Sequence, residues 1–290
     1  MKKLQKFLMA LAICSISIVA VGCSSKDNKD NKDNTTTTSE NNTTGEDSKN
    51  KNTGKLTNEE LAKKFDEATK SMKSSKAKVK NNTSMDLAGK KTSTNMDMDV
   101  TMTLDPFVFK VGGKMTTLGR SVDMDMYITK EATYVKNTLT KTWLKIADPT
   151  MKSSFESQKN VGNLEGMVEL FKSIGDKAKV EEKDSGYEIT YSGTDDAVKE
   201  ALKKIMSSSQ PKAKGLLDGM EVSKLNIRYV IDKKTFFPKE YEMTTTVKLK
   251  QNDKELSFDM DLKASYSEIN EVKEITIPDE VKNAKEWNKN

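Results

Sequence analysis

The sequence predicts an α+β domain: one large curved antiparallel sheet whose apolar, methionine-rich face lies under amphipathic helices. Three observations predict it. Asn95–Leu104 reads N-M-D-M-D-V-T-M-T-L, which puts Met96, Met98, Val100, Met102 and Leu104 on one side of an extended chain and Asp97, Asp99, Thr101 and Thr103 on the other. The alternation returns as Met124, Met126 and Ile128 against Asp123 and Asp125, and as Leu256, Phe258, Met260 and Leu262 against Ser257, Asp259 and Asp261. Stretches of helical period interrupt these strands, and a long sheet with one apolar face needs a second layer to cover it.

The chain begins with a basic stretch, Met1–Lys6, then an apolar run, Phe7–Val21, of secretory h-region length and short for a membrane-spanning helix. It ends in Ala20-Val21-Gly22-Cys23 before Ser24-Ser25, which resembles a bacterial lipobox, with Ala20 where Leu is usual. Residues 1–22 are therefore expected to be a lipoprotein signal peptide, and Cys23 the diacylglyceryl-bearing N-terminus. Cys14 leaves with the leader and Cys23 is consumed by lipid, so no thiol or disulfide chemistry remains. Two acyl chains anchor stably where one does not. Ser24–Lys55 is Asn, Thr, Asp, Lys and Ser almost throughout. Such a segment cannot offset its chain entropy, so residues 23–56 are expected to be the lipidated Cys and a disordered polar tether. Its r.m.s. span is roughly 30 Å.

Residues 57–290 are expected to form a single domain. Thr57-Asn58-Glu59-Glu60 is a capping box, and Leu61, Phe65, Ala68 and Met72 share one face of a helix over 58–73. From Lys76 the period becomes two. Val79, Met85 and Leu87 open a first strand that turns at Gly89-Lys90. The Met-Asp strand follows to Asp105-Pro106, then Phe107, Phe109, Val111 and Met115 in a third strand loosened at Gly112-Gly113. Leu118-Gly119-Arg120 turns into the Met124–Ile128 strand. Short strands at Tyr134-Val135 and Trp143–Ile146 close at Asp148-Pro149. Neighbouring strands joined by few turn residues argue antiparallel pairing.

The middle of the chain is helical. A turn or two is expected over Met151–Asn160. Leu164–Ile174 places Leu164, Met167, Val168, Leu170, Phe171 and Ile174 at helical spacing. Two strands follow near Ala178–Glu182 and Tyr187–Tyr191. A helix capped at Thr194-Asp195-Asp196 runs to Met206 and is broken by Ser207–Pro211. Leu216, Leu217 and Met220 read as a loop or short helix. Three long strands follow, around Leu225–Ile231, Tyr241–Leu249 and Leu256–Tyr266, and Pro278–Asn283 makes a closing helical turn.

Composition narrows the function. Without Lys2, Lys3 and Lys6 the formal charge falls from +5 to +2 with both signs mixed, which argues against nucleic acid as a partner. Histidine is absent, which removes the commonest general base and the commonest metal ligand. No Gly-rich phosphate loop and no G-x-S-x-G occurs. The expectation is a protein that is not an enzyme and carries no cofactor or metal, although abundant Ser and Lys leave a Ser–Lys pair open. The aspartates of the alternating strands read as a solvated, aggregation-resistant face, since calcium needs ligands converging from loops. The methionine stripes read in two ways. Methionine is adaptable and suits a pocket for variable acyl chains, and the same stripes also serve to pack beneath helices.

The order of elements resembles the LolA-like and LppX/LprG-like lipoproteins, and is most similar to a Gram-positive lipoprotein family of that fold with no assigned function. Cys23, the lead helix with Leu61-Ala62-Lys63-Lys64-Phe65, the Met-Asp-Met-Asp strand, Tyr134 with Thr142-Trp143-Leu144-Lys145-Ile146, and the ending Ile275-Thr276-Ile277-Pro278-Asp279-Glu280-Val281 carry the likeness. It implies a half-open β-barrel whose concave face, closed by helices, forms an apolar cavity for lipid or an acyl chain. Alternation places Met98, Val100, Met126, Met243, Phe258 and Met260 inward, and the resemblance puts them on that concave face as candidate ligand-binding residues. Two functions follow as expectations. One is a lipoprotein on the extracytoplasmic face of the cell membrane, held by its diacylglyceryl anchor, that binds or carries a hydrophobic ligand. The other is a structural or interaction lipoprotein with a filled core that binds another envelope protein.

Overall fold

A computed structural model describes residues 56–87, 89–146, 165–209, 219–251 and 254–287. The stretch expected to be a signal peptide, Cys23, the expected tether up to Lys55, Asp148-Pro149, the turn expected over Met151–Asn160, Leu164, and Leu216-Leu217 lie outside them.

The capping box forms as its residues dictate. Thr57 Oγ1 accepts from the Glu60 amide at 3.1 Å, and the Thr57 amide donates to Glu60 Oε2 at 2.8 Å. It opens α1 (Asn58–Lys70), which buries Leu61, Ala62, Phe65 and Ala68. The chain then runs through six strands: β1 (Ser74–Leu87), β2 (Lys90–Leu104), β3 (Phe107–Thr117), β4 (Arg120–Thr129), β5 (Thr133–Lys136) and β6 (Trp143–Ile146). After α2 (Glu165–Ile174) and a 3-10 turn come β7 (Lys179–Lys183), β8 (Gly186–Ser192) and α3 (Asp196–Ser209). The chain closes with β9 (Met220–Ile231), β10 (Pro238–Gln251), β11 (Lys254–Ser267), the one-turn α4 (Asp279–Lys282) and β12 (Lys285–Glu286).

All twelve strands make one sheet in the order β12-β6-β5-β4-β3-β2-β1-β11-β10-β9-β8-β7. The two ends of that order do not pair, so the sheet is curved but not closed, and the architecture is mostly β with few helices. Every pairing is antiparallel except the short β12–β6 contact, which is parallel. The meander β1 to β6 forms one wing and β7 to β11 the other. Their junction is β1 against β11, with Lys76 opposite Ser267 and Leu87 opposite Leu256.

Three expectations need correction. Gly112-Gly113 does not loosen β3: both residues stay paired, Gly112 with Asp99 and Gly113 with Met98. Gly113 sits at φ +152, where a Cβ would lie 2.2 Å from the Asp97 carbonyl oxygen, so glycine is what lets the two strands approach there. Met220 is the first residue of β9, paired with Leu249, rather than part of a loop. The helix begun at Asp196 continues through Ser207 and Ser208 to Ser209, because serine lowers helix propensity without breaking a helix.

The polar side of the sheet is not uniformly wet. Val108 and Tyr127 lie on it, and they are buried with Ile275 and Val281 while Tyr134, Trp143, Val272 and Ile277 pack at the edge. Tyr127 and Trp143 rings meet at 5.6 Å, and Trp143 Nε1 donates to Glu280 Oε1 at 3.1 Å. The chain after β11 is thus strapped across the far side of β3 to β6. The Trp143 stretch and the ending Ile275–Val281, two of the segments that carried the resemblance, are packed against each other.

Candidate ligand-binding face

Register lays the apolar face out as rungs across the sheet. One rung reads Met124, Gly113, Met98, Val79, Ala264, Tyr241, Tyr229 and Ile189. The next reads Val122, Met115, Met96, Asn81, Leu262, Met243, Ile227 and Tyr191. A third reads Thr117, Thr94, Thr83, Met260, Thr245 and Leu225.

All six candidate residues from alternation fall on this face and join one cluster, in two different situations. Met98 is 1% exposed, and Val100, Met243 and Phe258 are likewise buried. Met126 and Met260 are half-buried, packed against the cluster. Met115 and Met124, which the sequence placed on strands without assigning to a site, are also half-buried, as is Val122. The apolar face therefore has a closed region centred on β1, β2 and β9 to β11 and a half-open margin that runs from β3 and β4 along the third rung through Thr94 and Thr83 to Met260.

Helix residues complete the closed region. Leu61, Phe65, Met167, Leu170, Phe171, Val198 and Leu202 share the cluster with the strands. Phe65 and Phe171 rings lie 6.2 and 5.8 Å from Tyr229, and Tyr229 lies 5.0 Å from Tyr241. Tyr229 donates its hydroxyl to the Met167 carbonyl at 3.1 Å, Tyr266 to Met167 Sδ at 3.6 Å, and Tyr241 to Met243 Sδ at 3.2 Å. Burial pushes all three phenols above their ordinary range, because a phenolate there would lose its hydration.

One feature of the face escaped sequence reading. A polar strip crosses it, made of Asn81 and the threonine rung. Asn81, 1% exposed, donates from Nδ2 to Thr83 Oγ1 at 3.2 Å. Thr94 and Thr117 hydroxyls bond at 3.0 Å, and buried Thr245 donates to the Lys224 carbonyl at 2.9 Å. The signal was present: Asn81 and Thr83 interrupt the apolar positions of β1 between Val79 and Met85, and Thr245 interrupts β10 between Met243 and Val247.

The opposite face holds the charges. Asp97, Asp99, Asp123, Asp125 and Asp259 are exposed and Asp261 half-buried, with Asp97 3.5 Å from Lys80. No group of three or more metal-ligating side chains converges among the described residues. Two shallow grooves run along this face. One, of about 470 Å³, lies between Lys177, Lys179, Thr190, Asn226, Arg228 and Glu242. The other, of about 380 Å³, lies between Asn82, Ser84, Asn95, Thr246, Asp259 and Asp261. Arg228 ties three strands together, bonding Glu188 Oε2 through Nε at 3.0 Å and Nη2 at 2.8 Å, and Glu240 and Glu242 through Nη1 at 2.6 and 3.2 Å. Lys183 and then Arg228 hold the Glu188 carboxyl below its ordinary range. Arg228→Ala should cost about 1–2 kcal/mol in urea unfolding at neutral pH, a modest figure because the network is partly exposed. A lowered carboxyl contributes stability above its unfolded titration range and loses it in acid. The difference between Arg228→Ala and the parent should therefore shrink as the pH falls.

Residues 57–286 match the model of a family of unknown function, DUF6612. No curated protein matches the chain. Among solved structures, a β-barrel-like protein of the domain of unknown function DUF1849 from Brucella abortus aligns at 10% identity, covering 68% of this chain and 99% of that one, with a TM-score of 0.23. A DUF1329 family protein from Desulfovibrio piger aligns at 11% identity over 72% and 90% of the two chains, with a TM-score of 0.22. These overlays are loose, and the fold described above rests on this chain's own strand pairing. With the family match spanning most of its length, the chain belongs to the DUF6612 family of unknown function.

Proposed function

We propose that this protein is a non-catalytic, membrane-anchored extracytoplasmic lipoprotein that binds an amphipathic lipid or other hydrophobic ligand on the apolar face of its sheet. In this reading the sheet is a LolA-like half-barrel and the apolar face is its concave side. The helices α1, α2 and α3 cover that side over β9 to β11. The observation that carries the reading is the half-open margin: Met115, Met124, Met126 and Met260 beside Thr83, Thr94 and Thr117. An adaptable apolar wall with a few fixed hydroxyls is what an amphipathic ligand needs, its chains against the methionines and its polar atoms on the threonines. The test is extraction and native mass spectrometry of the purified protein, followed by titration with an environment-sensitive fatty-acid probe. Co-purifying lipid and saturable, competable probe binding are expected; a protein with neither overturns the reading.

The near-complete burial of Met98, Val100, Met243 and Phe258 favours a second reading, a filled core in an interaction lipoprotein whose partner is another envelope protein. An apo protein without lipid that is nonetheless pulled down with one stoichiometric envelope partner would select it.

Anchoring is tested separately. Cys23→Ala should leave the leader uncleaved or release the chain from the membrane fraction. A Cys23→Ala chain that is cleaved normally and still pellets with membranes excludes a lipid on Cys23.

A further inference from the structure

Two large apolar side chains stand in water where neither turn chemistry nor packing calls for them. Leu118, 75% exposed, is the first residue of the two-residue β3–β4 turn. Leu118 and Gly119 have φ of +50 and +73, the signs of a type I′ turn, whose first position favours Asn or Asp and penalises a bulky side chain. Leu139, 91% exposed, sits in the β5–β6 turn. There Asn137 Oδ1 already organises the backbone, accepting from the Leu139 and Thr140 amides at 2.9 and 3.0 Å. Nothing in either turn requires leucine.

Register puts both tips at one end of the sheet. Thr117 pairs with Thr94, a few residues from the β1–β2 turn, and Lys141 beside Leu139 reaches Asp123 on β4 at 3.9 Å. The half-buried Val122 and Met124 lie between the two tips along β4. The surrounding charge is predominantly basic. Residues 86–91, 117–123 and 136–142 hold Lys90, Lys91, Arg120, Lys136 and Lys141 against the two carboxylates of Asp86 and Asp123. Lys141 leans on Asp123 and Lys136 lies 5.7 Å over the Trp143 ring, which leaves exposed Lys90, Lys91 and Arg120 to set the sign of the rim.

We propose that this end of the sheet docks on an anionic bilayer, with Leu118 and Leu139 dipping into the acyl boundary and Lys90, Lys91 and Arg120 on the headgroups. The inference rests on the membrane-anchored ligand-binding reading above and adds an orientation: the half-open methionine margin faces the lipid from which a ligand would come.

The test uses Leu118→Cys, Leu139→Cys and, at the opposite end of the sheet, Asp184→Cys. Each full chain is made in a lipoprotein-processing bacterium, extracted from membranes, labelled with an environment-sensitive fluorophore and reconstituted in vesicles. On phosphatidylglycerol-containing vesicles the labels at 118 and 139 should shift to the blue and brighten several-fold. The effect should weaken on pure phosphatidylcholine, at high salt, and in a Lys90→Glu, Lys91→Glu, Arg120→Glu background, and the label at 184 should stay wet. Labels at 118 and 139 that stay wet on anionic vesicles overturn the docking, as does an equal response at 184. A blue shift that appears without vesicles and grows with protein concentration overturns it in favour of self-association. Label stoichiometry and intact mass by mass spectrometry isolate the anchor: one dye per chain means that Cys23 is blocked and that Cys14 has left with the leader, whereas a second dye on a chain of cleaved mass means that Cys23 is free.

Discussion

Raising the pH above about 10 should unfold the domain steeply, and Tyr229, Tyr241 and Tyr266 should ionise only as it unfolds. Each phenol is buried, and that burial holds its titration well above the ordinary value of 10.0 in the folded state. Below pH 10 both states hold the protons and the three groups contribute no pH dependence. Above it the unfolded chain releases protons that the folded chain keeps, so stability falls with rising pH, by about 1.4 kcal/mol per unit for each phenol. Three together give roughly 4 kcal/mol per pH unit, comparable with the whole stability of many domains within a unit or two. Urea unfolding between pH 9 and 11 measures the slope, and tyrosinate absorbance followed with circular dichroism measures the coupling. Replacing Tyr266 or Tyr241 by Phe should remove about a third of the slope. Tyrosinate appearing for these three residues while the sheet is intact would contradict the packing of α2 against β9 and β11.

Met98→Ala should cost about 2–5 kcal/mol, because the side chain is enclosed and its loss leaves a cavity. Met126→Ala and Met260→Ala remove side chains that are only half-buried, and should cost roughly 1–1.5 kcal/mol each. Enlargement separates the positions further. Met98→Trp should overpack, at about 1–3 kcal/mol or more, whereas Met126→Trp should fold normally and occupy the space an acyl chain would use. The decisive comparison is thermal stability beside fatty-acid probe titration for Met98→Ala, Met126→Ala and Met126→Trp. A Met126→Trp protein that is stable yet binds the probe as the parent does would remove the margin from the site. Equal, large losses for Met98→Ala and Met126→Ala with no probe binding would leave a filled core.

Much of the sheet was legible because strict alternation leaves little choice of face. Met98, Val100, Met243 and Phe258 are where period two put them. The strand ends were not, since Lys90–Thr94 is polar on both sides and is held in β2 by its pairing to β1 rather than by its own pattern. The strap across Val108 and Tyr127 was hidden for a different reason. Single apolar residues on a polar face have no partner nearby in sequence, and theirs lie more than a hundred residues on, at Ile275 and Val281. The site was legible as a face but not as a site. Sequence separates inward from outward, while the distinction between enclosed Met98 and half-open Met126 depends on packing between elements that lie far apart in the chain. The polar strip at Asn81, Thr83 and Thr245 went unread because a search for apolar periodicity passes over the polar interruptions that give a face its chemistry.

The seam between β1 and β11 sets the order in which the molecule can be made. Lys76 must find Ser267, and Leu87 must find Leu256, so the two wings join only through residues separated by most of the domain. As the chain is delivered from its N-terminus, β1 to β4 can zip locally as successive hairpins, but the centre of the sheet stays an unsatisfied edge until β11 arrives. Long-range closure of this kind is slow, and it makes β11 a timing device: the centre of the sheet remains unfinished until Lys254–Ser267 has been delivered.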